Sequence, residues 1–411
     1  MPSSPPRIGL ALAGGGPLGA IYEIGALCAL SEALPSVDFT ALDGYVGVSA
    51  GSFIAAGLAN GMSPRQLCTS FVENAGPASD LIRPSLFFRP ALGEYARRLA
   101  ALPGLLLQAG YSVAVQRRSL LSAAECLGRA LPAGLFSSAA LQRQLALVFS
   151  APGRTNDFRR LKRRLVLVAT DLDSGQAAPF GLPGWDHVPI SQAVAASAAL
   201  PGLFPPEPIN GRWYVDGALK KTLHARVLLD AGLDLMLCLN PLVPFDASAA
   251  ASGARLHRVL GGQQRIPALV DGGLPVVLSQ TFRSLIHSRL ELGLKGYEAS
   301  HPGTSILIFE PDHRDPEMFL ANTFGYSQRR LLAEHAYQHT RADLRSRRSA
   351  LRTTLARHGL MLDEAVLDDA HRKLLSPRRS QRSRPTSRAG LALQRLDEVL
   401  NDLEQALARP V

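Results

Sequence analysis

The sequence predicts an α/β fold of three layers, a central and mostly parallel sheet flanked by helices, with a helical tail at its C-terminal end. Three observations predict it. Two short apolar runs near the start each close in glycine and lead into helically spaced apolar residues. Further short apolar runs follow at 165–170, 213–215, 235–239 and 305–309, and the intervening stretches are mostly helical in pattern. Strand, helix, strand, helix in direct succession requires a right-handed crossover, which lays the strands parallel.

Taken in order, residues 1–6 read as a flexible N-terminus and Arg7 to Ala13 as the first strand. The helix from Leu18 to Ala33 spaces Ile21, Ile24, Leu27, Leu30 and Leu34 along one side. Gly44 to Val48 is the second strand and Ser52 to about Asn60 the second helix, with Gly61 ending it. From about Ala75 to Asn156 the pattern is helical, broken by Pro84, Pro90, Pro103 and Pro132, and rich in Leu and Phe, among them Leu86, Phe87, Phe88, Leu105, Leu106 and Leu107. It reads as an inserted lid or side layer whose apolar side chains pack into the core. Residues 7–225 then form the main part of one α/β domain, 226–345 its C-terminal part, and 346–411 a helical tail. The tail carries a basic linker at 372–388 and a stripe of Leu391, Leu393, Leu396, Val399, Leu400, Leu403 and Leu407. That stripe suits a helix docking on the body or pairing with a second copy.

Bulk properties narrow the class. An apolar fraction of 46% with 36 Gly and 29 Pro describes a globular chain with many turns. The net charge of +10 is uneven: the linker holds seven basic residues and no acid, leaving +3 elsewhere, so no nucleic-acid partner is expected. Cys28, Cys68, Cys126 and Cys238 form no C-x-x-C pair, which argues against a disulfide framework or a zinc site and for a reducing, cytoplasmic setting. No export signal and no membrane span is expected; the run from Ile8 to Ile21 is short and glycine-rich.

Three local signals carry chemistry. Gly47-Val48-Ser49-Ala50-Gly51 puts a serine between strand and helix, where small neighbours allow a tight turn with an exposed hydroxyl. Gly14-Gly15-Gly16-Pro17-Leu18-Gly19 joins the first strand to the first helix, where free amides and the helix dipole favour an oxyanion or a phosphate. This loop also satisfies G-x-G-x-x-G, so a nucleotide- or phosphate-binding module is the rival reading; against it, Asp43 precedes the second strand and Ser49 occupies its exit. Trp213 to Ala218 delivers Asp216 into a turn with Gly217 and Ala218. All three sit at strand ends, where open α/β sheets place ligands.

In this order and on these elements, the glycine run, Gly-Val-Ser-Ala-Gly and Asp-Gly-Ala resemble the three signatures of the patatin-like phospholipases. The phrases Ala169 to Gly175 and Ala195 to Pro206 are also similar to that family. The resemblance covers about residues 7–225 and implies a patatin-like fold and a lipid acyl hydrolase. It implies Ser49 as nucleophile, Asp216 as general base, and the loop of Gly14, Gly15, Gly16 and Gly19, chiefly the amides of Gly15 and Gly16, as the oxyanion hole. Where many members carry a basic residue, this chain has Leu18, so selectivity for an anionic head group is not implied.

The implied route forms an acyl-enzyme that water, or an alcohol in an acyltransferase, resolves. It needs no cofactor and no metal, Asp171 and Asp173 being read as turn residues. Asp216 must have its pKa raised by a water-poor pocket to act as a base. His187 and His224 are the nearest candidates for a third member, and His224, on an expected helix, is read as structural. The expected partners are a lipid or acyl-ester substrate and, through the Leu81 to Leu107 stretch or the arginines, peripheral contact with a membrane. The sequence leaves lipid class, chain length and oligomeric state open.

Overall fold

The computed structural model describes residues 5–77, 80–82, 86, 89–116, 119–248, 256–259, 262–265, 268–320 and 328–375. Pro84, Phe87, Phe88, the linker from 376 onward and the stripe from Leu391 to Leu407 lie outside the described residues. The compact unit reaches Leu374, past the Arg345 at which the tail is expected to begin.

Eight strands form one sheet: β1 (Ile8–Leu12), β2 (Gly44–Val48), β3 (Arg164–Asp171), β4 (Ala177–Phe180), β5 (Glu207–Ile209), β6 (Arg212–Asp216), β7 (Leu235–Leu239) and, last in the chain, β10 (Ser305–Phe309). β8 (Leu256–Val259) and β9 (Gly262–Arg265) form a separate hairpin. The order is β10-β7-β1-β2-β3-β6-β5, with β4 also on β3. From β10 to β3 every pairing is parallel, as expected for runs that are apolar on both faces. The antiparallel β4, β5 and β6 complete the sheet. β4 and β5, at three or four residues, and the hairpin are too short to stand out in the sequence.

Register along β3 positions the site. Val168 pairs with Val48 of β2 and Pro179 of β4, while Ala169 pairs with Asp216 of β6 and Ala178 of β4. A strand has only two edges, so β2 and β6 share the edge opposite β4. They run head to head along it, and their C-terminal ends meet at Val168 and Ala169.

The helices are α1 (Gly16–Ala33), α2 (Ala50–Ala59), α3 (Pro64–Leu67) continuing into a π turn at Cys68–Val72, α4 (Leu92–Ala114), α5 (Leu120–Gly128), α6 (Ala139–Phe149), α7 (Ile190–Ser197), α8 (Arg226–Leu229), α9 (Gly273–Ser300), α10 (Pro316–Leu320), α11 (Arg329–Ser346), α12 (Arg348–Arg357) and α13 (Glu364–Asp368). α1 begins two residues earlier than expected because Pro17 suits a first turn, where its missing N–H costs nothing. One face of the sheet, with Val46, Val48, Val166 and Val168, packs on Leu228, Leu229, Leu290 and Tyr297 of α8 and α9. Gly47, pointing the other way, lies against α2, so helices cover both faces.

Two expectations fail in α4. Pro103 sits inside the helix instead of breaking it; Leu99, whose carbonyl the proline leaves unbonded, is exposed, so water can satisfy that oxygen. Leu92, Leu99, Leu106, Leu107 and Tyr111 are also exposed, so this stretch does not pack into the core as expected. Beyond Arg345, the chain returns to the body: the buried Arg341 donates to the carbonyls of Val366, Leu367 and Asp369.

Candidate active site

Ser49 stands at the exit of β2 as the residue that caps α2, with φ 52° and ψ −121°, a strained conformation for a side chain other than glycine. Its neighbours explain why the turn is glycine-flanked. A Cβ on Gly47 would lie 2.5 Å from the Gly51 carbonyl oxygen, and one on Gly51 would lie 2.5 Å from that of Leu12. The Ser49 N–H donates to Ser197 Oγ at 2.8 Å, and that hydroxyl donates to the Val168 carbonyl at 2.6 Å. Ser197, fully buried at the end of α7, therefore ties the elbow to β3. Its contribution escapes sequence reading, although it lies in the Ala195 to Pro206 phrase.

Asp216 ends β6 opposite. Its Oδ2 accepts from Ser49 Oγ at 2.6 Å and its Oδ1 from the Ala218 N–H at 2.9 Å. Burial pushes its pKa from the ordinary 3.8 up to about 6, with the bonds from Ser49 and Ala218 pulling the other way. Gly217 is required where it stands, because a Cβ there would fall 2.1 Å from the Val168 carbonyl oxygen.

The glycine loop closes the third side. A Cβ on Gly14 would meet the Ser49 Cβ at 3.0 Å and the Ala218 Cβ at 3.1 Å. Gly15 packs on Pro241, and Gly16, with φ 60°, opens α1, where amides have no intrahelical partner. Gly19 departs from its expected place in the oxyanion hole. Its N–H donates to the Gly15 carbonyl at 2.9 Å, and its missing side chain makes room for Pro241 instead. Leu18 is buried.

Neither histidine is hydrogen-bonded to the Ser49–Asp216 pair. His187 is exposed and bonded to Asn210. His224 lies not on the expected helix but in the turn before α8, with φ 47°. It is buried, and burial, aided by Lys221, lowers its pKa to about 4. Asp171 accepts from the amides of Asp173 and Ser174 and from Arg212, which is turn chemistry. Among the described residues, no group of His, Cys, Asp and Glu is arranged to hold a metal ion.

A family model described as patatin-like phospholipase matches residues 10–229. Among solved structures, VipD from Legionella pneumophila is 18% identical with a TM-score of 0.34, over 81% of this chain and 68% of that one. The type III effector ExoU is 16% identical with a TM-score of 0.28, over 99% and 67%. ExoU in complex with SpcU, from Pseudomonas aeruginosa, is 17% identical with a TM-score of 0.25; the match covers 72% of this chain and about half, 53%, of that one.

Proposed function

We propose, from the premise that this chain belongs to the patatin-like phospholipase family, that it hydrolyses acyl esters of phospholipids, lysophospholipids or related lipids through a Ser49–Asp216 dyad. The observation that carries this reading is the 2.6 Å bond between Ser49 Oγ and an Asp216 carboxylate raised to about 6. Asp216 takes the hydroxyl proton as Ser49 attacks the ester carbonyl. The amides of Gly15 and Gly16 hold the oxyanion, at the positive end of α1. The proton passes to the leaving alcohol as the tetrahedral intermediate collapses to the acyl-enzyme. Water, deprotonated by the same carboxylate, then releases the fatty acid and restores Ser49.

A carboxylate at about 6 is mostly ionised at neutral pH and yet more basic than an ordinary aspartate, so no imidazole is required. The Ser197 bond occupies the Ser49 amide, which leaves the glycine loop to receive the oxyanion. Hydrolysis of nitrophenyl esters and phospholipid vesicles by wild type, Ser49→Ala and Asp216→Asn tests the reading. Activity in wild type and its loss in both variants are expected; turnover that survives Ser49→Ala would sink it.

A further inference from the structure

α9 (Gly273–Ser300) turns Leu290 and Tyr297 inward to the core, while Leu274, Leu278, Phe282, Leu285 and Leu292 stand exposed. At helical pitch these five fall within an arc of about 80°. Leu274 is 70% and Phe282 49% exposed, in a run from Gly272 to Phe282 that carries no charge. The exposed Arg289 lies in the same arc, whereas Lys295 and the helix's acids, Glu291 and Glu298, all exposed, fall outside it. The face thus combines large apolar residues with one cation, Arg289, and no acid.

The same helix holds both sides of the candidate active site. Gln280 exchanges hydrogen bonds with the backbone of Phe245, at 3.1 and 2.8 Å, and Arg283 donates to Val243. Those residues continue the segment whose Pro241 packs on Gly15 and Gly19. Arg289 donates to the Leu219 carbonyl at 2.9 Å, and Thr222 to that of Ile286, fastening the turn that follows Asp216.

We propose that the outward face of α9 docks the protein on an anionic lipid bilayer. An exposed apolar face that carries a cation and no acid suits contact with an anionic interface. No helix among the described residues is long and apolar enough to cross a membrane, so α9 would lie in the interface. A second copy is the poorer occupant, because a two-fold contact would set Arg289 of one copy on the same apolar face as Arg289 of the other, with no acid on that face to pair them. The inference rests on the lipid hydrolase reading only for the reason the protein meets a bilayer. Docking there presses on the helix that clamps the glycine loop and the Asp216 turn.

The test uses the full chain carrying Ser49→Ala, so that no lipid is consumed, in co-sedimentation with vesicles of phosphatidylcholine alone or mixed with phosphatidylglycerol. Binding to the mixed vesicles should fall about tenfold or more when Leu278→Glu and Phe282→Glu are added, with the melting temperature unchanged; Leu285→Glu alone replaces the pair if the pair melts lower. Undiminished binding overturns the proposal, as does binding lost only with Leu99→Glu and Leu106→Glu on α4, or a wild-type dimer that the α9 variant splits. Short-chain ester hydrolysis by the chain with Ser49 intact is measured separately: its absence would remove the hydrolase reading, while the vesicle result would still judge this face.

Discussion

Replacing Asp216 by asparagine should stabilise the fold while abolishing turnover, and the stabilisation should depend on pH in a defined way. The carboxyl titrates at about 6 in the folded protein against 3.8 ordinarily. A group whose pKa rises on folding contributes stability that is fully present below its unfolded pKa and is lost as pH climbs through its folded one. Ionising Asp216 inside the fold therefore costs about 3 kcal/mol, accumulated between about pH 4 and 6 and constant above. An asparagine side chain cannot ionise, and its amide can still accept from Ala218 and donate to Ser49, so little else changes. Urea unfolding of both proteins across that range should show a difference in stability that opens by about 2–2.5 kcal/mol from pH 4 to 7. Parallel curves would mean that Asp216 is not held in a water-poor environment, and its role as base would lose its physical basis.

The rate at limiting substrate should rise to a plateau with an apparent pKa near 6, and this limb should persist in His224→Ala, because His224 titrates at about 4 and is neutral throughout; a limb that moves or vanishes in the histidine variant would transfer the base's role. Ser197→Ala strands the Ser49 N–H and the Val168 carbonyl, so it should cost about 1–3 kcal/mol of stability. It should also slow fluorophosphonate labelling of Ser49 with KM unchanged; a lower melting point at full labelling rate would leave Ser197 a purely structural role. Gly14→Ala wedges a methyl between Ser49 and Ala218, at 3.0 and 3.1 Å, and should lower ester turnover about a hundredfold through displacement of Ser49. Turnover within about twofold of wild type would show that the loop yields freely.

What could be read from the sequence is what depends on close neighbours. Gly47 and Gly51 are demanded by contacts within the elbow and with the adjoining strand end, and β1, β2, β3 and β7 are buried on both faces, so each announces itself. What resisted reading depends on distant pairing. The work of Ser197 exists only because β3 passes beside the end of α7. The place of Gly19 in the glycine run suggests an oxyanion donor, but α1 starts early and takes its N–H. The Leu-rich pattern of α4 is the same whether its leucines face a core or face outward, since periodicity reports a face and not what lies against it.

The head-to-head meeting of β2 and β6 makes the contact between Ser49 and Asp216 a measure of strand register. A slip of one residue by β6 along β3 would carry Asp216 about 3.3 Å along the sheet and turn its side chain to the opposite face. A half-correct sheet would therefore hold no half-active site. As the chain folds, activity should appear only once the antiparallel edge has locked beside the parallel one, and misregistered species, however compact, would leave lipids untouched.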